Sequence, residues 1–287
     1  MESVNLFLAA VDTSDYVSFV LSFPHVPPMS VLTLFFLALM RIAPVVAIAP
    51  FLGSKLPGGV KIGLAIAISA ILLPHLITAS KGPVPTFDAH FAALCLKELF
   101  IGIMLTMIIT IPFYIVQSSG VLIDFQRGSS ALQVQDPTMQ TQSSSIGQLY
   151  NYVFIVLFYE IGGPFMFLEG VLNSYTVIPA DSFISAAFFS LQVPFWKFML
   201  ALLTKFLAIA IQLAAPSLVA ILMAEMFLGI ANRLAPQVQI AFLGMALKSF
   251  VGLALLWAAW YFILQQFTKQ STLWLQSMNQ LIQSIPK

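Results

Sequence analysis

The stretch FWKFMLALLTKFLAIAIQLAAPSLVAILMAEMFLGI, residues 195–230, holds three charges, Lys197, Lys205 and Glu225, in an otherwise apolar sequence. A helix crosses the hydrocarbon of a bilayer with about 20 such residues. The apolar positions are continuous rather than alternating, which excludes a lipid-facing barrel strand. In lipid every backbone amide needs an internal partner, so the run is helical. Five further runs follow the same pattern, at 31–52, 60–78, 91–116, 149–172 and 240–264. The fold class is therefore all-α: a polytopic membrane protein of about six long apolar helices, in one membrane domain covering residues 1–287.

Composition supports this. Of 287 residues 60% are hydrophobic and 8% charged, and mean hydropathy is +0.96. Soluble domains carry roughly 25% charged residues, so this chain cannot cover a water-facing globule. Twelve basic and 11 acidic side chains give a net charge of +1, which offers nucleic acid no attractive field. The single cysteine, Cys95, builds neither an internal disulfide nor a metal cluster and reads as a small hydrophobe.

The ends differ from the middle. No Lys or Arg precedes Met29, so the basic start of a cleavable signal is missing. Tyr16, Phe19, Val20 and Phe23 are spaced for a short amphipathic helix before Pro24. Near the carboxy terminus, Trp274, Met278, Leu281 and Ile285 recur at helical spacing opposite Gln276, Ser277, Gln280 and Gln283. This predicts an amphipathic helix that docks on the bilayer surface or on a partner helix. With six spans, Lys81, Lys197, Lys269 and Lys287 fall on one side and Lys55, Lys61, Arg127 and Arg233 on the other. The balance assigns no orientation.

Charges inside apolar runs are costly. Arg41 and Lys205 lie near the middle of theirs, which points to pairing with another helix or subunit; Glu160, Glu225 and Lys248 are also intramembrane candidates. Lys97, Glu98 and Glu169 read as snorkelling near span ends. As neighbours on a helix Lys97 and Glu98 point about 100° apart, which argues against their pairing with each other. Pro44, Pro112 and Pro216 fall inside runs and predict kinks. Gly59 and Gly63 form one small-xxx-small pair. The interval 117–148 is the longest polar stretch, relieved by Val121, Leu122 and Ile123. From Asp124 to Ser145 it is rich in Gln and Ser and poor in charge, the composition of a loop touching both protein and water. An ordinary interhelical loop and a movable constriction across a pathway both fit.

No catalytic pattern is present: no His-Glu-x-x-His, no Gly-x-Ser-x-Gly, no phosphate-binding glycine loop and no dinucleotide fingerprint. His25, His75 and His90 lack metal-ligand spacing. The expectation is a non-enzyme without cofactor or metal. A secondary transporter, binding a small ionic substrate through Arg41, Lys205 and Glu225, is the rival class, although no inverted repeat is visible.

Several segments in series carry a resemblance. Arg41-Ile-Ala-Pro44, Ala49-Pro-Phe-Leu-Gly53, Lys55-Leu-Pro57 and Val60-Lys-Ile-Gly63 are followed by Gly120-Val-Leu-Ile-Asp-Phe-Gln-Arg-Gly128 and Asp136-Pro137. Then come Phe227-Leu-Gly-Ile-Ala-Asn-Arg-Leu-Ala-Pro-Gln237 and the run with Gly244, Lys248 and Gly252. Together they resemble the SctT/FliR family of type III secretion injectisomes and bacterial flagella, nearer SctT than FliR, over nearly the whole chain. The resemblance implies a subunit of the export gate in the bacterial inner membrane. It would assemble with SctR/FliP-like and SctS/FliQ-like subunits, beside an SctU/FlhB-like switch protein, around a conduit for unfolded secreted polypeptides. Energy would come from a separate ATPase and the proton-motive force. It also implies bent helices that assembly raises out of the ordinary bilayer plane.

In that family the loop after the third long helix contributes a plug. Carried onto this chain, the plug is Phe125, Gln126, Arg127, Gly128, Ser129, Ser130, Ala131, Leu132, Gln133, Val134, Gln135, Asp136 and Pro137. Its Gln-rich composition departs from a more apolar plug. Arg233, in the Asn-Arg-Leu-Ala-Pro turn, joins Arg41, Lys205, Glu225 and Lys248 as an assembly candidate.

Overall fold

The computed structural model describes residues 28–53, 56–80, 87–128, 144–184, 188, 194–234 and 240–283. Among them are eight α-helices: α1 Pro28–Ile48, α2 Gly58–Ala79, α3 Ala89–Gln126, α4 Ser145–Glu160, α5 Gly163–Val177, α6 Pro194–Leu234, α7 Ile240–Ala258 and α8 Trp260–Gln283. A short 3-10 turn, Pro50–Leu52, follows α1. Four helices, α1, α2, α3 and α6, are long and apolar enough to cross a membrane, and the number rises to six if each of two bent pairs is one span. The chain is an all-α, multi-pass membrane protein. The amphipathic segment expected at 16–23 lies outside the described residues.

Three boundaries differ from the sequence reading. The run 149–172 is two helices, α4 and α5, bent by 72°. Gly162, at the break, has φ +71°, which an L side chain rarely adopts, and Pro164 then occupies the first turn of α5. The run 240–264 is likewise broken between α7 and α8, by 63°. Here the residues are Ala258, Ala259 and Trp260, with no proline or glycine to signal the bend. Finally, α3 continues ten residues past the apolar run, through Gln117, Ser118 and Ser119 to Gln126. Ser119 is buried and its hydroxyl bonds the Val116 carbonyl, so polar residues remain helical by satisfying themselves within the turn.

Pro44, Pro112 and Pro216 lie inside α1, α3 and α6, and Pro74 inside α2 adds a fourth internal proline. A Cβ built on Gly59 or Gly63 meets nothing within 4 Å, so their close-packing signal is not used among the described residues.

The described residues divide into two compact units, with boundaries at 108/109, 167/168, 194/195 and 278/279. In the first, Leu34, Leu37, Ala38, Ile42, Val45 and Val46 form the buried stripe of α1 at helical spacing, and α1 packs on α2. Lys61 of α2 donates to the Ala47 carbonyl at 2.9 Å, capping the end of α1. In the second, Phe113 of α3 meets Phe154 and Phe158 of α4 edge-on at 4.9 and 5.3 Å, and Phe154 and Tyr150 meet Phe267 of α8 at 5.9 and 5.4 Å. Within this unit α8 buries Ile263, Phe267, Ser271, Trp274 and Met278. Its amphipathic face packs on protein, not on a bilayer surface.

Candidate functional site

The first unit contains a buried ionic network. Arg41 falls on the inward stripe of α1 and is 0% exposed, as is Glu98 of α3. Arg41 Nε lies 2.5 Å from Glu98 Oε2, and an Nη nitrogen donates to Oε1 at 2.8 Å, the bidentate fork that suits guanidinium and carboxylate. Remaining guanidinium protons go to Ser174 Oγ at 2.9 Å and the Ile178 carbonyl at 3.0 Å. The guanidinium carbon stands 3.8 Å from the centre of the Tyr175 ring, a cation–π contact. Gly102 makes the approach of α3 possible: a Cβ there would stand 2.3 Å from the Arg41 carbonyl oxygen.

Lys97 and Glu98 correct two expectations. They do pair, Lys97 Nζ lying 2.6 Å from Glu98 Oε1. The 100° between adjacent side-chain roots does not limit a four-carbon stem that can curl back toward a carboxylate. Nor do they snorkel, since both are buried. Lys97 Nζ also donates to the carbonyls of Pro179, Ala180 and Ser182 at 2.8, 3.1 and 2.9 Å. Two cations and one anion thus hold α1, α3, the last turn of α5 and the carbonyl-rich segment 178–182 that follows it together.

The second unit carries a polar clamp at the end of α3. Asp124 pairs with Arg127 at 2.6 Å. Its other oxygen accepts from the Ser144 hydroxyl and from the Ile146 amide, the latter at 2.9 Å. Ser144 in turn accepts from the Gly147 amide at 2.8 Å, so Ser144 caps α4 and Asp124 reinforces the cap with a full negative charge. Beside them Gly120 lies against Gly147; a Cβ on Gly120 would stand 2.6 Å from the Gly147 Cα. Gln126 donates to Glu225 of α6 at 3.2 Å, Glu225 pairs with Lys248 of α7 at 2.6 Å, and Arg127 reaches Ser249 at 3.4 Å. The described residues on both sides of 129–143 are therefore tied to one carboxylate, and α3 is tied to α6 and α7.

The other sequence candidates are placed as follows. Phe125 and Gln126 are not loop but the last residues of α3, and Arg127 and Gly128 form the turn after it. Phe125 is exposed. Residues 129–137 of the plug lie outside the described residues. Lys205 is exposed on α6 and has no ion-pair partner among the described residues. Arg233 is exposed in the last turn of α6. Sequence reasoning passed over Asp124, Ser144, Ser174 and Tyr175. Asp124 stood inside the Gly120–Gly128 segment without a role of its own, and Asp136 lies nearer the Ser-Ser-Ser helix start in sequence; Ser174 and Tyr175 carried no signal.

A membrane protein built of long apolar helices around a fully buried charge network, with a polar clamp at the base of one interhelical segment, is the class that fold and site define. The chain belongs to the family described as bacterial export proteins, family 1, which matches residues 32–273. It is 31% identical to the Yop proteins translocation protein T of Yersinia pestis over 221 residues, 77% of this chain and 83% of that protein. It is 29% identical to the flagellar biosynthetic protein FliR of Bacillus subtilis over 224 residues, 77% and 84% of the two chains. The surface presentation of antigens protein SpaR of Shigella flexneri is 28% identical over 214 residues, 74% and 79%. The SctT/FliR resemblance holds, and the chain is a subunit of a type III secretion or flagellar export apparatus.

Proposed function

We propose that this subunit, with SctR/FliP-like and SctS/FliQ-like partners and beside an SctU/FlhB-like switch protein, encloses a gated conduit in the bacterial inner membrane. Unfolded secreted polypeptides pass through it, and the part of the 125–137 segment that follows the turn at Arg127 and Gly128 forms its gate. The subunit catalyses no reaction. Its part is to hold a polar, weakly charged segment against ion leak until a polypeptide displaces it.

The Asp124 clamp is the observation that carries this reading. A segment whose two flanks are bound to the same buried carboxylate can move without unravelling α3 or α4. The transporter reading is less well supported, because Arg41 is spent on Glu98 and Glu225 on Lys248. The experiment is deletion of residues 129–135 in the chain co-expressed with its partners, followed by ion flux across vesicles carrying the complex. Raised conductance supports a gate; conductance equal to the intact complex rejects it.

A further inference from the structure

The outward face of α6 is mostly apolar, with Leu200, Leu207 and Ile211 at least half exposed. Only 28% of its most apolar window is buried within the chain, against 72% for α3. One stripe on that face is different. Thr204, Ala208 and Gln212 follow one another at intervals of four, flanked by Lys205 and Pro216, and all five are exposed. Thr204 satisfies its hydroxyl on the Ala201 carbonyl of its own helix at 2.9 Å. Lys205 and the Gln212 side chain have no hydrogen-bond or ion-pair partner among the described residues. Pro216 has no amide to offer the Gln212 carbonyl, one turn back, so a backbone acceptor is freed on the same stripe.

An ammonium, an amide and a freed carbonyl surrounded by Leu and Ile cannot be left to hydrocarbon without cost. Ala208 and the self-satisfied Thr204 leave room for close backbone approach, the geometry small residues provide between membrane helices. We propose that this stripe seats one transmembrane helix of a neighbouring subunit, bearing a carboxylate opposite Lys205 and small residues opposite Ala208. The proposal rests on the export-gate reading, and it adds the seat and the chemistry of its occupant.

The test uses the full chain co-expressed with the other membrane subunits of its own apparatus, with a photo-crosslinking amino acid at position 208 or 212. Crosslinks to one multispan subunit, from both positions, are expected. Lys205→Glu should lower the recovered complex about tenfold or more, Lys205→Met by less, and a carboxylate→Lys change in the crosslinked helix should restore Lys205→Glu. Crosslinks to lipid alone, or wild-type recovery of the complex with Lys205→Glu, overturn the proposal while leaving the export-gate reading intact. Failure of the unsubstituted chain to co-purify with any membrane subunit overturns both.

Discussion

Replacing Glu98 with Ala removes the anion from between two buried cations. Three contacts disappear: the 2.5 and 2.8 Å bonds to Arg41 and the 2.6 Å contact with Lys97. Arg41 keeps Ser174, the Ile178 carbonyl and the Tyr175 ring, and Lys97 keeps three carbonyls. Those dipoles replace the carboxylate only in part. Orphaning one side of a buried pair costs about 3–5 kcal/mol, and the remaining dipoles put this case near the lower end, about 3 kcal/mol. That is a shift of roughly 150-fold in the folded-to-unfolded ratio. The assay is reversible unfolding of the purified chain in mixed micelles with a rising fraction of dodecyl sulfate, followed by tryptophan fluorescence. Arg41→Met combined with Glu98→Leu should recover part of the loss, because Arg41 is then no longer orphaned and only Lys97, still held by three carbonyls, lacks its anion. A loss within about 1 kcal/mol for Glu98→Ala, the range of exposed pairs, would mean that water reaches the network and would refute the reasoning.

Three further perturbations complement the loop deletion and the Lys205 series. Asp124→Ala strips the Arg127 pair and the two hydrogen bonds at the start of α4, a local loss of about 1–3 kcal/mol; hydrogen exchange should rise at amides 145–147 while those of α1 stay protected. Gly102→Ala forces a Cβ against the Arg41 carbonyl and should destabilise by about 1–3 kcal/mol. Gly59→Ala, with open space around it, should stay within about 0.5 kcal/mol in the same micelle titration.

The helices were legible because lipid removes the alternatives: six continuous apolar runs could satisfy their backbones only as helices. What stayed hidden were features set by side-chain reach and local backbone. On a helix the Cβ directions of Lys97 and Glu98 diverge, whereas Nζ and Oε1 lie several bonds beyond them and meet. The bend at Ala259 has no residue-level signal, since Ala is equally at home on either side of it. The polar extension of α3 has the composition of a loop, and only the self-satisfied Ser119 and the close approach at Gly120 keep it helical. Arg41 and Glu98 were both visible as costly charges, but their joining depends on α1 and α3 meeting at Gly102, a tertiary fact.

The lengths of α3 and α6 bear on why such a chain works as a subunit. At 1.5 Å per residue, helices of 38 and 41 residues extend about 57 and 62 Å, nearly twice the ~30 Å hydrocarbon of a bilayer. A solitary membrane protein would make the excess polar. In α6 the opposite holds: Leu200, Leu203 and Leu207 are exposed in its first third, and Met226, Phe227, Ile230 and Leu234 in its last. Burying each such side chain is worth about 1.5–3 kcal/mol, so water is an unfavourable neighbour at both ends of a helix that one flat bilayer cannot cover. On the proposed reading, neighbouring subunits cover what lipid does not. If, as proposed, neighbouring subunits set the final position of the chain, its balanced Lys and Arg tally follows, because it then has less need of a charge bias of its own.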